Sequence, residues 1–392
     1  MKQATIIKFV LIFGLVASIS LIIVLTYVPY HVESSRNTLT DGKQLRISPQ
    51  TQALHKQLFI ADAHADSLLW NRDLLHNSSY GHIDLPRMRQ GNLGLQIFSI
   101  VSKTPRHMNL IKNTGDTDNI TALAMVQAWP PRTWTSLAER ALYQSQRLTS
   151  LSKRDGALSL ITSAKSLNDF IALRRANPNQ IAGLLSIEGA QALENELSNL
   201  ERFYKSGIRI IGLAHLFDTT YGGSAHGEQQ YGLTKQGKRL IREIDARHMI
   251  IDLAHSSQAV FNDVMAQSDR AVIVSHTGVY ATCPSPRNLT DSQLRQVAAS
   301  GGLIGIGFWT QATCGNDVMA ITRSLRHAVS VVGIDHVALG SDMDGSVGVP
   351  FDAANYIQLT EAMRQQDFSE QEIRAIMGEN LLRFLQHNLP AE

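Results

Sequence analysis

Apolar residues along this chain gather into short runs separated by segments of helical periodicity. The runs fall at 58–66, 93–101, 181–188, 208–215, 249–255, 271–276, 303–308 and 336–342. Between them, apolar residues recur every three or four positions: Leu197, Leu200 and Phe203 in 194–205, then Leu240, Ile241 and Ile244 in 234–247, which opens on a Thr cap. Segments 291–299, 318–332 and 369–377 read the same way. No hairpin signal separates any two runs, so strand alternates with helix, an α/β pattern. Eight such strands are the number that closes a parallel barrel. The prediction is a (β/α)8 TIM barrel over residues 51–392, preceded by an N-terminal transmembrane helix. One connection, about 102–180, is too long for a simple crossover. It carries a polar stretch and a helix over about 136–154, and is expected to be an insertion over the barrel mouth.

From Phe9 to Val28 the chain has no charge and is rich in Leu, Ile and Val. A helix of about 20 such residues spans the ~30 Å hydrocarbon layer of a bilayer. Lys2 and Lys8 precede it and Glu33 follows, so the positive-inside rule leaves the N-terminus cytoplasmic. Residues 1–30 therefore read as an anchor in the inner (cytoplasmic) membrane. A cleaved signal peptide is the alternative, but it would have a shorter apolar core and a small-x-small site, which is not evident before Pro29. Either way the rest of the chain is expected outside the cytoplasm, in the periplasm or the extracellular space. Residues 31–50, polar and without periodicity, read as a linker.

Composition narrows the class. With 44% hydrophobic and 18% charged residues the chain has enough apolar material for a large core. A net charge of +2 without a basic cluster excludes a nucleic-acid partner. Cys283 and Cys314, the two cysteines, follow neighbouring strands and suit an oxidising compartment. A bridge closing about 30 residues would stabilise by roughly 3–4 kcal/mol on the loop-entropy model; two unrelated buried thiols are the alternative.

The candidate chemistry stands at the strand ends. Strand one ends in His64 and Asp66, strand three in Glu188, strand four in His215, strand five in His255, strand six in His276 and strand eight in Asp342. Alone, a strand-end histidine is usually a hydrogen-bonded structural residue. In a (β/α)8 barrel, however, the C-terminal strand ends share one mouth, and His64 and Asp66, two apart, share a face of their strand. Imidazole and carboxylate ligands without thiolate suit Zn²⁺, with Mn²⁺ or Co²⁺ as alternatives. There are more ligands than one catalytic zinc needs, which favours two ions sharing Glu188 and a hydroxide. Asp342, in Gly340-Ser341-Asp342-Met343-Asp344-Gly345, is placed to shuttle a proton. Asp344 is the weaker candidate and is expected to brace the loop. Arg287 is positioned to clamp a substrate carboxylate, against the plainer reading of a loop salt bridge.

With these residues assembled, the sequence resembles the membrane dipeptidase (renal dipeptidase) family of metallopeptidases in the amidohydrolase superfamily, from about residue 55 to 387. The motifs are Asp62-Ala63-His64-Ala65-Asp66, Ser186-Ile187-Glu188-Gly189, Asp252-Leu253-Ala254-His255-Ser256-Ser257, Ser275-His276, Arg287-Asn288, the Gly340–Gly345 segment and Gly378-Glu379-Asn380-Leu381-Leu382-Arg383. The resemblance implies two Zn²⁺ ions, one held by His64, Asp66 and bridging Glu188, the other by Glu188, His255 and His276. It also implies that His215 and Arg287 bind substrate, that Asp342 is the acid/base, and that the protein is a homodimer. Substrates would be dipeptides, including those with a C-terminal D-residue. The segment 216–224 departs from the Trp-containing loop of animal members, so substrate preference does not carry over. The N-terminal anchor replaces their lipid anchor and points to a bacterial source.

The reading is thus a zinc dipeptidase tethered to a membrane. Hydrolysis of a lactam, lactone or phosphoester competes, but Asp66 in place of a second His and Glu188 in place of a carboxylated lysine favour dipeptides. A peptide-binding receptor without catalysis also competes, although a pure binder has no use for Asp342.

Overall fold

In the computed structural model, which describes residues 2–392, the eight expected strands are all present. The side chains of residues 2–5, Lys2 among them, and of residue 21 lie outside the description. The strands are β1 (Ile60–Ala65), β2 (Leu93–Val101), β3 (Ile181–Glu188), β4 (Ile208–Gly212), β5 (Ile250–Asp252), β6 (Ile273–Thr277), β7 (Leu303–Ile306) and β8 (Val337–Leu339). Each pairs in parallel with its neighbours in chain order. Leu339 pairs with Asp62, joining β8 to β1 and closing the barrel. β2 and β3 form the longest ladder, from Leu95↔Ala182 to Val101↔Glu188.

The strands bury both faces. Leu54, Met88, Leu240, Ile244 and Leu325 from the surrounding helices join one buried cluster with outward strand residues such as Ile60, Leu185 and Ile211. A second cluster holds Ala61, Ala63, Leu95, Leu184, Ile210, Ile250, Ile273, Leu303 and Ala338, together with Leu381, Phe384 and Leu385 of the last helix, Asn380–Asn388. Aliphatic side chains therefore fill one part of the barrel, while the strand ends carry polar groups. The bore is narrow near that polar end. A Cβ on Gly305 or Gly340 would come within 2.0 Å of the Ser275 carbonyl oxygen, so β6, β7 and β8 approach closely only because both are glycine.

The long connection between β2 and β3 carries more than the predicted helix. Helix α2 (Ile120–Val126), a single turn at Arg132–Thr135 and helix α3 (Leu137–Arg154) are followed by a ninth strand, Leu158–Ile161, and a further helix, Ala164–Ala176. The ninth strand pairs with the first half of β3, from Leu158↔Ile181 to Ile161↔Leu184. Ser136 caps α3, its Oγ accepting from the Glu139 amide at 3.1 Å.

The N-terminal helix α1 (Lys2–Arg36) runs past the expected boundary at residue 30, with Pro29 inside it. It is long and apolar enough to cross a membrane, and side chains such as Phe9 and Phe13 have no protein cover. The following segment, read from sequence as a free linker, is instead bound to the barrel. Thr38–Leu39 pairs in parallel with Gly348–Val349, the Leu45 amide donates to Gln358 Oε1 at 2.7 Å, and the Ser48 amide donates to Glu361 Oε2 at 3.0 Å. Cys283 and Cys314 form a disulfide joining the loops after β6 and β7.

Candidate active site

All the predicted site residues meet at the C-terminal end of the barrel. His64 is the penultimate residue of β1. Asp66 lies just beyond the strand, with φ −101° and ψ 25°, yet its Oδ1 remains 3.5 Å from His64 Nε2. Glu188 closes β3, His276 lies within β6, and His215, His255 and Asp342 stand just past β4, β5 and β8. His255 and Asp342 adopt left-handed backbone, with φ of 61° and 59°. Such conformations cost energy in non-glycine residues and persist only when surrounding contacts hold them. Here the His255 carbonyl accepts from the Ala225 amide at 2.8 Å, and the Asp342 amide donates to the His64 carbonyl at 3.2 Å.

The cluster centres on Glu188. Its Oε1 lies 3.0 Å from His255 Nε2, 3.4 Å from His276 Nε2 and 3.7 Å from His64 Nε2, and its Oε2 lies 3.4 Å from His215 Nε2. Asp342 Oδ1 is 3.9 Å from His64 Nε2. The Ser275 hydroxyl sits between the other nitrogens of two rings, 3.2 Å from His64 Nδ1 and 3.0 Å from His276 Nδ1. Fixing Nδ1 in this way turns Nε2 of each ring toward the centre.

Electrostatics make this arrangement costly for the protein alone. Burial pushes the Glu188 carboxyl well up, and the neighbouring Asp66 carboxylate adds to the rise. Burial likewise raises Asp342 to about 8, with Asp66 contributing. Burial lowers His255 and His276 far below the usual imidazole value, and lowers His215 to about 3. His64 goes the other way: against burial, the carboxylates of Glu188, Asp66 and Asp342 lift it to about 10. His64 Nε2 and Asp66 Oδ1 are buried without any hydrogen-bond partner. Buried polar atoms are rarely left unpaired. Buried imidazoles and carboxylates that converge with unpaired ligand atoms are what divalent cations require, and a cation would relieve the crowding of carboxylates around His64, so the donor set fits metal binding. Among the described residues, three overlapping groups have ligand atoms close enough to share an ion: His64, Asp66 and Glu188; Glu188, His215 and His255; and His64, His276 and Asp342.

Two acids that sequence reasoning left without a role hold this rim together. Asp62, fully buried, accepts from the His64 amide at 3.1 Å, the Ser341 amide at 3.0 Å and the Tyr356 hydroxyl at 2.5 Å, tying β1 to β8. Asp252 accepts from the Ala254 amide at 2.9 Å and the Ser275 amide at 3.0 Å, tying β5 to β6. The signal was present in both motifs: an acid two or three residues before a strand-end histidine. His226 was also missed. It is buried beside His255, ring centroids 5.3 Å apart, with Nδ1 on the Leu110 carbonyl and Nε2 unpartnered. Asp344 is a brace: wholly buried, it accepts from Arg72, from the Ser67 hydroxyl at 2.6 Å and from the His82 amide at 2.6 Å.

The cluster opens into a cavity of about 520 Å³. Asp66, Glu188, His215, His255, Arg287 and Asp342 all line it. Arg287 is buried, donates from Nη2 to the His276 carbonyl at 2.6 Å and lies over the Trp309 ring. The volume suits a small molecule.

A closed parallel barrel with carboxylates and imidazoles converging at its C-terminal mouth is the architecture of a metal-dependent hydrolase. Residues 48–389 match the family model described as membrane dipeptidase (peptidase family M19). Dipeptidase tcpJ of Claviceps purpurea is 30% identical over 315 residues, 78% of this chain and 69% of that protein. Dipeptidase 3 of Rattus norvegicus is 26% identical over 359 residues, 86% of this chain and 67% of that protein. The crystal structure of dipeptidase AC, a family M19 metallopeptidase, superposes with a TM-score of 0.68 at 26% identity, covering 85% of this chain and 99% of that one. The chain belongs to the membrane dipeptidase family and is a metal-dependent dipeptidase.

Proposed function

We propose that the metals are two zinc ions, one held by His64, Asp66 and Glu188 and the other by Glu188, His255 and His276. The observation that carries this reading is the convergence of three histidine nitrogens on Glu188 Oε1, which makes one carboxylate common to both ligand sets. When bound, such a pair supplies Lewis acidity and a water activated at neutral pH. The remaining work falls to side chains. Arg287 holds the dipeptide's free carboxylate through charge-assisted hydrogen bonds, and so places the scissile bond beside Glu188. His215, buried and kept neutral, donates to the substrate carbonyl oxygen as negative charge develops on it. Asp342, at the edge of the cluster, accepts a proton from the attacking water and returns it to the departing amine nitrogen.

In this proposal α1 spans the inner membrane and leaves the barrel in the periplasm or the extracellular space. The uncharged stretch from Phe9 to Val28, the lysines before it and the Cys283–Cys314 bridge support that placement. The test is metal analysis of full-length protein in detergent, with a dipeptide panel that includes C-terminal D-residues, assayed before and after chelation. Two zinc ions per chain and hydrolysis lost on chelation are expected. Hydrolysis that survives complete metal removal would reject the mechanism.

A further inference from the structure

The cleft has a wall that the barrel does not supply. Val28, Val32 and Arg36, in the last turns of α1, line the same cavity as Asp66, Glu188 and Arg287. Val32 packs on the buried cluster of Leu69, Trp70, Val101, Ile120 and Ala124, and α1 lies against α2. Polar contacts fix this end of the helix. Glu33, 2% exposed, accepts from Arg72 Nε, and Arg72 in turn donates to Asp344, two residues from Asp342. Asn37, 3% exposed, accepts from the Ser346 amide at 2.8 Å. A helix end held by buried ionic and hydrogen-bonded contacts to the loop bearing Asp342 is built into the cleft, since buried polar groups are tolerated only when paired.

The wall also has a direction. Leu69, Trp70 and Val101 follow or end β1 and β2, whereas Arg287 lies after β6, across the mouth. A dipeptide with its carboxylate on Arg287 and its peptide bond at Glu188 therefore points its N-terminal side chain at α1 and α2. The lining there is mainly apolar, with Val28, Val32, Ile120 and Leu123 beside Leu69 and Trp70, and Arg36 and Asn119 among them.

We propose that the last two turns of α1 form a specificity wall, which selects dipeptides whose N-terminal residue is large and apolar. This rests on the dipeptidase reading with Arg287 as the carboxylate anchor. It carries a corollary: the mature enzyme retains residues 28–36, because removing them would open the cleft and strip Arg72 of one of its two carboxylates.

The test uses full-length protein in detergent with Leu-Gly and Gly-Gly as substrates. Val32→Asp should lower kcat/KM for Leu-Gly by about tenfold or more, mainly through KM, as expected when an apolar pocket loses its fit. Gly-Gly should change far less, and the milder Val32→Ser should fall between. Equal losses on both peptides, or no loss on either, would overturn the wall. A second arm does not depend on hydrolysis. The native cysteines are bridged and no free cysteine occurs among the described residues, so Val32→Cys with Leu123→Cys supplies the reactive thiols. A short bis-maleimide should link them in native membranes; failure to cross-link would overturn the docking of α1. Wild-type protein that cleaves neither peptide would reject the dipeptide reading and the selectivity with it, whereas a cross-linked but unselective enzyme would reject the wall alone.

Discussion

Glu188 Oε1 lies 3.0 Å from His255 Nε2, so the last residue of β3 meets a residue just past β5 across the barrel mouth. Because the same oxygen also faces His64 and His276, Glu188 is the member whose loss should disturb both metal positions. Glu188→Gln keeps the size and removes the charge. Metal content by mass spectrometry of the dialysed protein should fall to one ion per chain or fewer. Turnover should fall by more than the roughly 10–100-fold that follows loss of an outer partner of a ligand. Unchanged metal content would reject the bridging role.

Asp342 stands further out, 3.9 Å from His64 Nε2, and is more exposed than Asp66 or Glu188. Asp342→Asn should therefore retain both metals while kcat falls by about 10²–10⁴, the range for loss of a general acid–base group. KM should change little. Loss of a metal ion with the substitution would reassign Asp342 as a ligand.

What could be read from the sequence was whatever depends on local pattern. The eight strands announce themselves by apolar runs, and His64, Glu188, His255 and His276 become neighbours once those runs are closed into a barrel. The strand Leu158–Ile161 escaped because it is four residues long and its two adjacent middle residues, Ser159 and Leu160, are both half-buried between buried ends, leaving no alternation. Contacts between distant segments left no local trace. Nothing around Glu33 or Arg72 announces their ion pair, so the segment after the membrane helix read as a free tether when it is docked. Asp62 was visible as a residue but not as a brace, because its partners Ser341 and Tyr356 lie 279 and 294 residues further along the chain.

Arg287 already gives one Nη2 bond to the His276 carbonyl, which fixes its guanidinium in the cavity wall with donors to spare. Arg287→Ala should raise KM for dipeptides by about 10–100-fold, the equivalent of a charge-assisted hydrogen-bond pair. A dipeptide amide, which lacks the carboxylate, should lose much less. Steady-state kinetics on matched acid and amide substrates separate the cases: equal effects would make Arg287 a support for His276 and not a clamp.

The attachment of the segment after α1 should leave a signature in acid. Glu361 accepts from the Ser48 amide at 3.0 Å, the Ser48 hydroxyl at 2.9 Å and Gln365 Nε2 at 3.0 Å. Burial alone would raise its carboxyl, but the hydrogen bonds from Thr51 and Ser48 outweigh it and bring the pKa down to about 2, from an ordinary 4.5. A carboxyl depressed in the folded state contributes stability that is fully present above about pH 4.5 and is lost as pH falls toward 2. Glu361→Gln keeps an acceptor but not the charge, so it should cost roughly 1–2 kcal/mol at pH 7. Denaturant melts of the full-length protein in detergent should show that gap narrowing below pH 4.5 and closing near pH 2, where wild-type Glu361 is itself becoming neutral. A gap of the same size at pH 7 and pH 3 would mean that the shape of the side chain, and not its charge, ties Ser48 to the barrel.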